Sequence, residues 1–364
     1  MAGSQLGDYI NSLKGIFKGG QSSIVGLDIG LSAIKVCEST RNSSGEIKIT
    51  KYASVPLPDG VLIEDEIQNK QIILESIKEA FKKAKISSDT VAIGMSGSNT
   101  VARRLQLAGG SADEISSQVE WEAEQYIPFG VDESYMSYHV FGENEGGGVD
   151  VLLAGSRKAV IEEFKEVVQE AGYNVKIVDL DILAATNVFE HVLFDEMGDG
   201  GSYILIDFGA QKTNFIIYKN GAISFNKEMN IGGLMITEEI QRQMGVTFHE
   251  AEDLKVTGDE QGNLPEEILD IINDVSETFF TEIKKTYEFY ITSTSDENIK
   301  ACYVTGGAAK TPNLLDGLET LLDIKVTFFN PFNGIDYDKK SFDDIELENI
   351  ATRGVVAIGL SMRS

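Results

Sequence analysis

Residues 203–218 read YILIDFGAQKTNFIIY: two apolar runs separated by Asp207, Gly209 and a short polar turn. Apolar runs of strand length closed by a glycine-containing turn predict a β-hairpin. The same pattern stands at residues 25–37, VGLDIGLSAIKVC, where Asp28 and Gly30 interrupt one run and Ile34 and Val36 resume it. The two aspartates are 207 − 28 = 179 positions apart, so one Asp-x-Gly hairpin opens each half of the chain. A single Asp-x-Gly is a common turn. Its repetition predicts a duplicated, two-lobed α/β architecture with a cleft between the lobes.

The turns carry chemistry as well as shape. Glycine lets the backbone approach phosphate oxygens, whose charge is met by amide N–H groups. Asp28 would hold a water of a Mg²⁺ shell, because Mg²⁺ keeps several waters and prefers carboxylates and phosphates. Lys35 brings a cation to the same place, and Asp207 stands at the matching position of the second turn. A third element, residues 303–309 (YVTGGAA), puts Gly306 and Gly307 where a buried strand ends. Thr311 and Pro312 read as the cap and first residue of the helix that follows. Such a paired-glycine turn can pass flat beneath an adenine or a ribose.

Composition agrees with two globular lobes: 364 residues, 42% hydrophobic and 24% charged. The net charge of -27, from 31 Lys and Arg against 58 Asp and Glu, argues against nucleic acid and against an anionic membrane surface. An anionic ligand must be held locally, by backbone amides or a metal ion. Cys37 and Cys302 have no metal-ligand spacing and read as core thiols, and His139, His191 and His249 read as structural histidines. No apolar run reaches a membrane-spanning length of about 18 residues, and the N-terminus lacks a signal-peptide core, so the expectation is a cytosolic protein without transmembrane insertion. Within residues 1–22, Leu6, Tyr9, Ile10, Leu13, Ile16 and Phe17 recur at helical spacing before Gly19 and Gly20. With only Lys14 and Lys18 as basic residues, this amphipathic extension reads as a docked or frayed helix rather than a membrane anchor.

Periodicity assigns residues 23–97 and 175–200, with a terminal helix at 348–364, to the first lobe. It contains a helix at 70–84, strands at 90–95 and 175–178, and a helix after Asp181. Residues 98–174 read as a compact β-α-β-β-α insert, with strands at 101–107, 134–141 and 150–154 and helices at 114–126 and 159–171. Beyond an acidic linker at 195–201, residues 201–347 form the second lobe, including a helical subdomain at about 245–298. A turn at Asn220-Gly221 extends its hairpin into a three-strand meander that mirrors the first lobe.

Asp-x-Gly, Asp-x-Gly and Val-x-Gly-Gly, in this order, resemble the two phosphate motifs and the adenosine motif of the actin, heat-shock chaperone and sugar kinase superfamily. Residues 118–129, QVEWEAEQYIPF, resemble the hallmark segment of the PilM family, FtsA-like cytoplasmic proteins of type IV pilus assembly. Ile231-Gly232-Gly233, the stretch from Ala251 to Lys255, and Ala357-Ile358-Gly359-Leu360 are similar to that family too, so the resemblance spans about residues 23–364. It implies an actin-like fold, with the insert standing where FtsA and PilM carry a subdomain absent from actin.

The resemblance also implies ATP or ADP with Mg²⁺. Asp28, Gly30, Leu31, Ser32 and Lys35 would form the first phosphate turn, and Asp207, Gly209, Ala210, Lys212 and Thr213 the second. Gly232 and Gly233 would lie near the ribose or phosphates, Glu252 and Lys255 would meet the ribose or adenine, and Gly306, Gly307 and Ala308 would take the adenosine. Mg²⁺ would be held by Asp28 and Asp207 through water. Glu252 and Lys255 read equally well as a helix-surface ion pair. Asp181 falls where the superfamily places the acid that orients an attacking water, and it would also serve as a helix N-cap. Leu31 replaces the Ser or Thr common in relatives, which predicts ATP binding with at most slow hydrolysis.

The partner implied is the N-terminal tail of a PilN-like inner-membrane protein, lying in a groove between the first lobe and the insert. Trp121, Gln125, Tyr126 and Phe129 would form one wall; their plainer role is core of the insert, and one helix can do both. Other pilus assembly proteins, including the assembly motor platform, and a homo-oligomer are implied as well, with attachment to the inner membrane through partners. Two alternatives stand beside this reading. A small-molecule kinase of the same superfamily would need a catalytic base that no Asp of the first lobe presents. An FtsA-type division protein would be expected to continue past Ser364 into a linker and a membrane-targeting helix.

Overall fold

The computed structural model describes residues 24–144, 146–194, 196–197, 200–257 and 263–363. The amphipathic extension expected at 1–22 and part of the linker at 195–201 lie outside the described residues.

Val25–Ile29 (β1) and Ala33–Arg41 (β2) pair antiparallel, in a register that sets Asp28 opposite Lys35. Ile47–Pro56 (β3) extends the hairpin to a meander. A two-stranded ribbon, Leu62–Ile63 (β4) and Glu66–Ile67 (β5), leads to the helix Lys70–Ala84. Thr90–Met95 (β6) then joins β1 in parallel. Thr100–Leu107 (β7), Ser134–Glu143 (β8) and Val149–Arg157 (β9) form a separate antiparallel sheet in the order β7-β9-β8. It is covered by the helix Ala112–Tyr126, which starts with a reciprocal cap between Ser111 and Glu114. Asn174–Leu180 (β10) returns to the first sheet beside β6, in parallel.

The second half repeats the plan. Ser202–Phe208 (β11), Thr213–Lys219 (β12) and Ala222–Met229 (β13) form an antiparallel meander. Ile299–Thr305 (β14) and Val326–Phe328 (β15) add in parallel beyond β11. Asp336–Tyr337 (β16) crosses back to the edge of β3. The sheets therefore run β10-β6-β1-β2-β3-β16 and β13-β12-β11-β14-β15, the same five-strand plan twice. The central strands β1 and β11 are apolar almost throughout because helices cover both sheet faces, which removes the usual alternation.

The two lobes share a third core. Ala185, Val188, Phe189 and Leu193 of the helix Asp181–Leu193 meet Leu205, Ile216 and Tyr218 of the second sheet and Val355 and Ile358 of the terminal helix. Two glycines let the terminal helix pack closely on β1 and on the helix Asp181–Leu193. A Cβ on Gly26 would strike the Ala357 carbonyl and the Ser361 amide, and one on Gly359 would strike the Ala184 carbonyl.

Three expectations are corrected. The terminal helix is two helices, Asp344–Arg353 and Val355–Ser361, broken at Gly354, where a Cβ would meet the Ile350 carbonyl and the Tyr52 ring. The helix after the paired glycines begins at Leu314; the Thr311 hydroxyl donates to the Ala308 carbonyl at 2.7 Å instead of capping it. Finally, the helix Lys158–Glu170, grouped above with the insert, contributes Ile161, Phe164, Val167 and Val168 to the core of the six-stranded sheet. Its apolar face meets the helix Lys70–Ala84, and Lys70 ties the pair by reaching Glu166 at 2.9 Å and Glu170 at 2.8 Å. Among the described residues, no helix is long and apolar enough to cross a membrane.

Candidate functional site

Both Asp-x-Gly turns close with the same bond. Gly30 N donates to the Ala33 carbonyl at 3.1 Å, and Gly209 N donates to the Lys212 carbonyl at 2.9 Å. Each aspartate thus sits near the end of a central strand, next to a turn closed by a backbone hydrogen bond. Lys35 reaches Asp28 Oδ2 at 2.8 Å, so the first turn carries its own counter-charge. Asp207 lies in register with Thr305 at the end of β14. Burial pushes its carboxyl up to about 6; Lys35 pulls it back and Asp28 adds repulsion.

Asp181 completes the constellation. It opens its helix without capping it, since that N-terminus has no side-chain cap, so the N-cap alternative fails. Its carboxyl is held well above the usual range by burial first, then by the neighbouring charge of Asp28, opposed by Lys35, with Asp207 and Asp65 adding further repulsion. Asp181 Oδ1 and the Thr305 hydroxyl are buried without a hydrogen-bond partner. Orphaned polar atoms beside two more carboxylates mark a place built for a polar ligand or ordered water. Gly94 makes room for it, since a Cβ there would overlap Asp181 Oδ1.

The remaining motifs knit around the second turn. Gly306, at φ +99°, lies so close that a Cβ would strike the Phe208 carbonyl and Asp207 Oδ1, and Ala308 N donates to that same carbonyl at 2.9 Å. The helix Gly233–Met244 starts against the turn, with Gly233 N donating to Gly209 O at 3.1 Å and Leu234 N to Ala210 O at 2.8 Å. Below it, Lys255 donates to Glu252 at 2.6 Å, to the Thr237 hydroxyl at 2.7 Å and to the Gly233 carbonyl at 3.1 Å. Burial lowers the pKa of Lys255. Glu252 and Lys255 are therefore an ion pair, with Lys255 drawn in under the helix N-terminus beside Gly233 and Glu252 partly exposed.

Several residues lie elsewhere than their motif suggests. Thr213 is fully buried and its hydroxyl donates to the Ile231 carbonyl at 2.7 Å, which braces β12. Leu31 packs against the first core, and Ser32 is exposed. Gly307 borders Arg353. Lys212 is drawn across the cleft to Asp65, with Glu228 at 3.4 Å. Sequence reading missed Asp65, Glu228 and Thr237. Asp65 sits with Glu64 in a two-residue turn at φ 68° and 49°, a conformation normally announced by Asn-Gly, so Glu-Asp carried no signal.

On the insert, Ile115, Val119 and Ala123 face the sheet, while Trp121 (64% exposed), Gln125 and Tyr126 face out. Arg103 covers the Tyr126 ring at 5.0 Å. Phe129 belongs to the insert core, with Arg157 5.2 Å from its ring, so the expected wall divides into three exposed residues and one buried one. Cys37 and Cys302 are buried free thiols.

The family described as type IV pilus assembly protein PilM matches residues 26–364. Among solved structures, the PilM-PilN type IV pilus biogenesis complex contains a chain 25% identical to this one, with 94% of this chain and 99% of that chain covered at a TM-score of 0.83. MreB5 of Spiroplasma citri bound to ADP is 13% identical, with 90% and 98% covered at a TM-score of 0.50, a likeness of fold. The cell division protein FtsA of Enterococcus faecalis is 25% identical over 353 residues, which cover 84% of this chain and 78% of that protein. The fold is that of the actin-like ATPases.

Proposed function

This chain belongs to the type IV pilus assembly protein PilM family, and from that membership we propose that it is a nucleotide-responsive adaptor, binding ATP or ADP in its cleft and a PilN-like tail on its insert. The observation that carries the nucleotide half is the pair of identically closed Asp-x-Gly turns sharing an electrostatic field with Asp181. Amides of Leu31, Ser32 and Ala210 would donate to phosphate oxygens, with Lys35 supplying positive charge. Gly306, Gly307 and Ala308 would border the adenosine, with Gly232, Gly233, Glu252 and Lys255 at the ribose.

Mg²⁺ fits the donor set. Among the described residues no group of three or more His, Cys, Asp or Glu forms a protein-only metal site. The two turn aspartates suit an ion that keeps most of its waters and leans on phosphate. Bound there, it would supply charge neutralisation for the phosphates. Asp181, with its unpartnered oxygen, would hold a water near them. Leu31 stands where relatives commonly carry Ser or Thr, so a side-chain contact to the phosphate is missing from the first turn, and this supports slow hydrolysis at most.

Because Mg²⁺ binds the deprotonated carboxylate, affinity for Mg²⁺-nucleotide should rise as pH climbs through about 6, by up to about tenfold per unit below that value. Asp207→Asn should flatten the step. Calorimetric titrations of wild type and variant across that range check it; a flat wild-type profile would refute the assignment of Asp207.

The partner half rests on Trp121, Gln125 and Tyr126 standing exposed on a helix whose other face is core. Trp121 is the sole tryptophan of the chain, so its emission should shift when a PilN-like tail peptide binds. Trp121→Ala should weaken the peptide on the order of 30-fold and leave thermal stability within about 0.5 kcal/mol, as for other exposed positions. No emission change and no peptide binding with either nucleotide would sink the adaptor reading. Attachment to the inner membrane through that tail, contacts with the assembly motor platform and self-association follow from the same proposal.

A further inference from the structure

Lys212 belongs to the second phosphate turn, yet its ammonium is shared by two carboxylates, Asp65 and Glu228. The three come from separate places: Asp65 from the β4-β5 ribbon of the first lobe, Lys212 from the turn after β11, and Glu228 from β13. Asp65 is only 5% exposed, and its other oxygen accepts from the Ser96 hydroxyl at 3.4 Å. They converge on Gly97, whose φ is +81°; a Cβ there would run into both Asp65 Oδ2 and Lys212 Nζ. Glu228 also accepts the Gly97 amide at 3.0 Å. Gly97 in turn leads into β7, its carbonyl accepting from Thr100 N at 3.0 Å and from the Thr100 hydroxyl at 2.9 Å.

A lysine of a phosphate turn, held by carboxylates from both lobes at the root of the insert, is placed to answer to phosphate. We infer that Asp65 and Glu228 are positioning residues that compete with a nucleotide's terminal phosphate for Lys212, so that ATP, more than ADP, loosens the joint between the cleft and the insert. This rests on the nucleotide reading above. A phosphate is a stronger partner for an ammonium than one carboxylate because it presents several oxygens and more charge. Once Lys212 turns to it, Asp65 and Glu228 are left as two like charges beside each other and beside the phosphate, and they separate. The Gly97 amide then loses its acceptor, and the insert can shift on its Gly97–Thr100 root. The route from phosphate to insert is thus a chain of direct contacts with two arrangements.

A purely structural ion pair and a competitor predict opposite signs. Loss of a structural pair weakens ATP binding or leaves it alone; loss of a competitor strengthens it. The test is titration of the full chain with fluorescent ATP and ADP, together with hydrogen exchange at residues 96–100. For Asp65→Asn we expect ATP to bind roughly tenfold tighter, within the range usual for coupled sites, with a smaller gain for ADP. Glu228→Gln should move in the same direction and does not disturb the Asp65 turn, so it carries the test if Asp65→Asn fails to fold. Lys212→Met should weaken ATP by a similar factor, and its exchange at Gly97 should no longer respond to ATP, whereas the wild type exchanges faster there once ATP is added. Equal or weaker ATP binding by folded Asp65→Asn or Glu228→Gln overturns the inference, as does a wild-type exchange response in Lys212→Met. A wild type that binds ATP with no change at Gly97 overturns this inference alone. One that binds no ATP overturns the nucleotide reading with it.

Discussion

Asp207→Ala is expected to bind Mg²⁺-ATP on the order of 100-fold more weakly than the wild type, the upper end of what loss of a carboxylate supporting a bound ion costs. Asp207 lies at the end of β11 in register with Thr305, so close to Gly306 that a Cβ there would strike its Oδ1, and it shares its field with Lys35 and Asp28 of the first turn. The same variant is expected to keep or raise thermal stability. Burial holds the Asp207 carboxyl at about 6 against an ordinary 3.8, so the folded protein binds this proton more tightly than the unfolded chain does. Stability from this group therefore falls as pH rises from about 4 to about 6, and the full penalty is present above that window. Alanine removes the penalty together with the ligand. Fluorescent-ATP titration with and without Mg²⁺, paired with melting curves at pH values on either side of the window, measures both effects. Unchanged tight binding would contradict the site.

Gly359→Ala is expected to destabilise the fold by about 3 kcal/mol, the top of the usual range for overpacking. The added carbon would meet three backbone atoms of Ala184, including its carbonyl oxygen, and backbone at a helix crossing cannot move aside as a flexible side chain can. The helix that must yield, Asp181–Leu193, begins with Asp181 and carries Ala185, Val188 and Phe189 into the core between the lobes. Displacing it would both open the lobe interface and move the Asp181 carboxyl, which feels the charges of both turn aspartates. Reduced melting temperature and weakened ATP binding should therefore appear together. A stable Gly359→Ala protein with normal nucleotide affinity would mean that this crossing does not govern the site.

These two variants also mark the boundary between what a linear reading can and cannot see. Asp207 was legible because its signal is local: an apolar strand, an Asp-x-Gly turn and a second strand within sixteen residues, repeated once. The paired-glycine turn was visible for a similar local reason, at the end of an apolar strand, and the structure sets Gly306 against Asp207 and Gly307 against Arg353. Gly359 was visible only as a family-like residue; that it faces Ala184, 175 positions earlier (359 − 184), is a fact of packing. The short strands β4, β5, β15 and β16 escaped notice because two or three residues carry no periodicity.

The insert shows the same divide. Helical spacing made residues 114–126 an amphipathic helix; the structure starts it at Ala112, where the capping pair Ser111 and Glu114 sets its beginning. Which of its aromatic neighbours would be exposed was a question of sheet packing: Trp121 stayed outside while Phe129, past the end of the helix, turned into the core. The helix Lys158–Glu170 has a good apolar stripe, but a stripe does not name its partner. It belongs with the first lobe because the helix Lys70–Ala84 offers Ile73, Ile77 and Phe81 to cover it.

By itself, then, the sequence determined the two hairpins, their duplication, the order of the glycine-marked turns and the family, because strand period and turn chemistry are each written within a few residues and their order can be read along the chain. The tertiary structure alone decided who meets whom across the cleft. Lys212 is a phosphate-turn lysine in any local reading, and its tie to Asp65 spans 147 positions. Only the docking of the two lobes brings those charges together, since an ion pair at such separation is set by where the cores place the backbones and by no pattern in the chain between them.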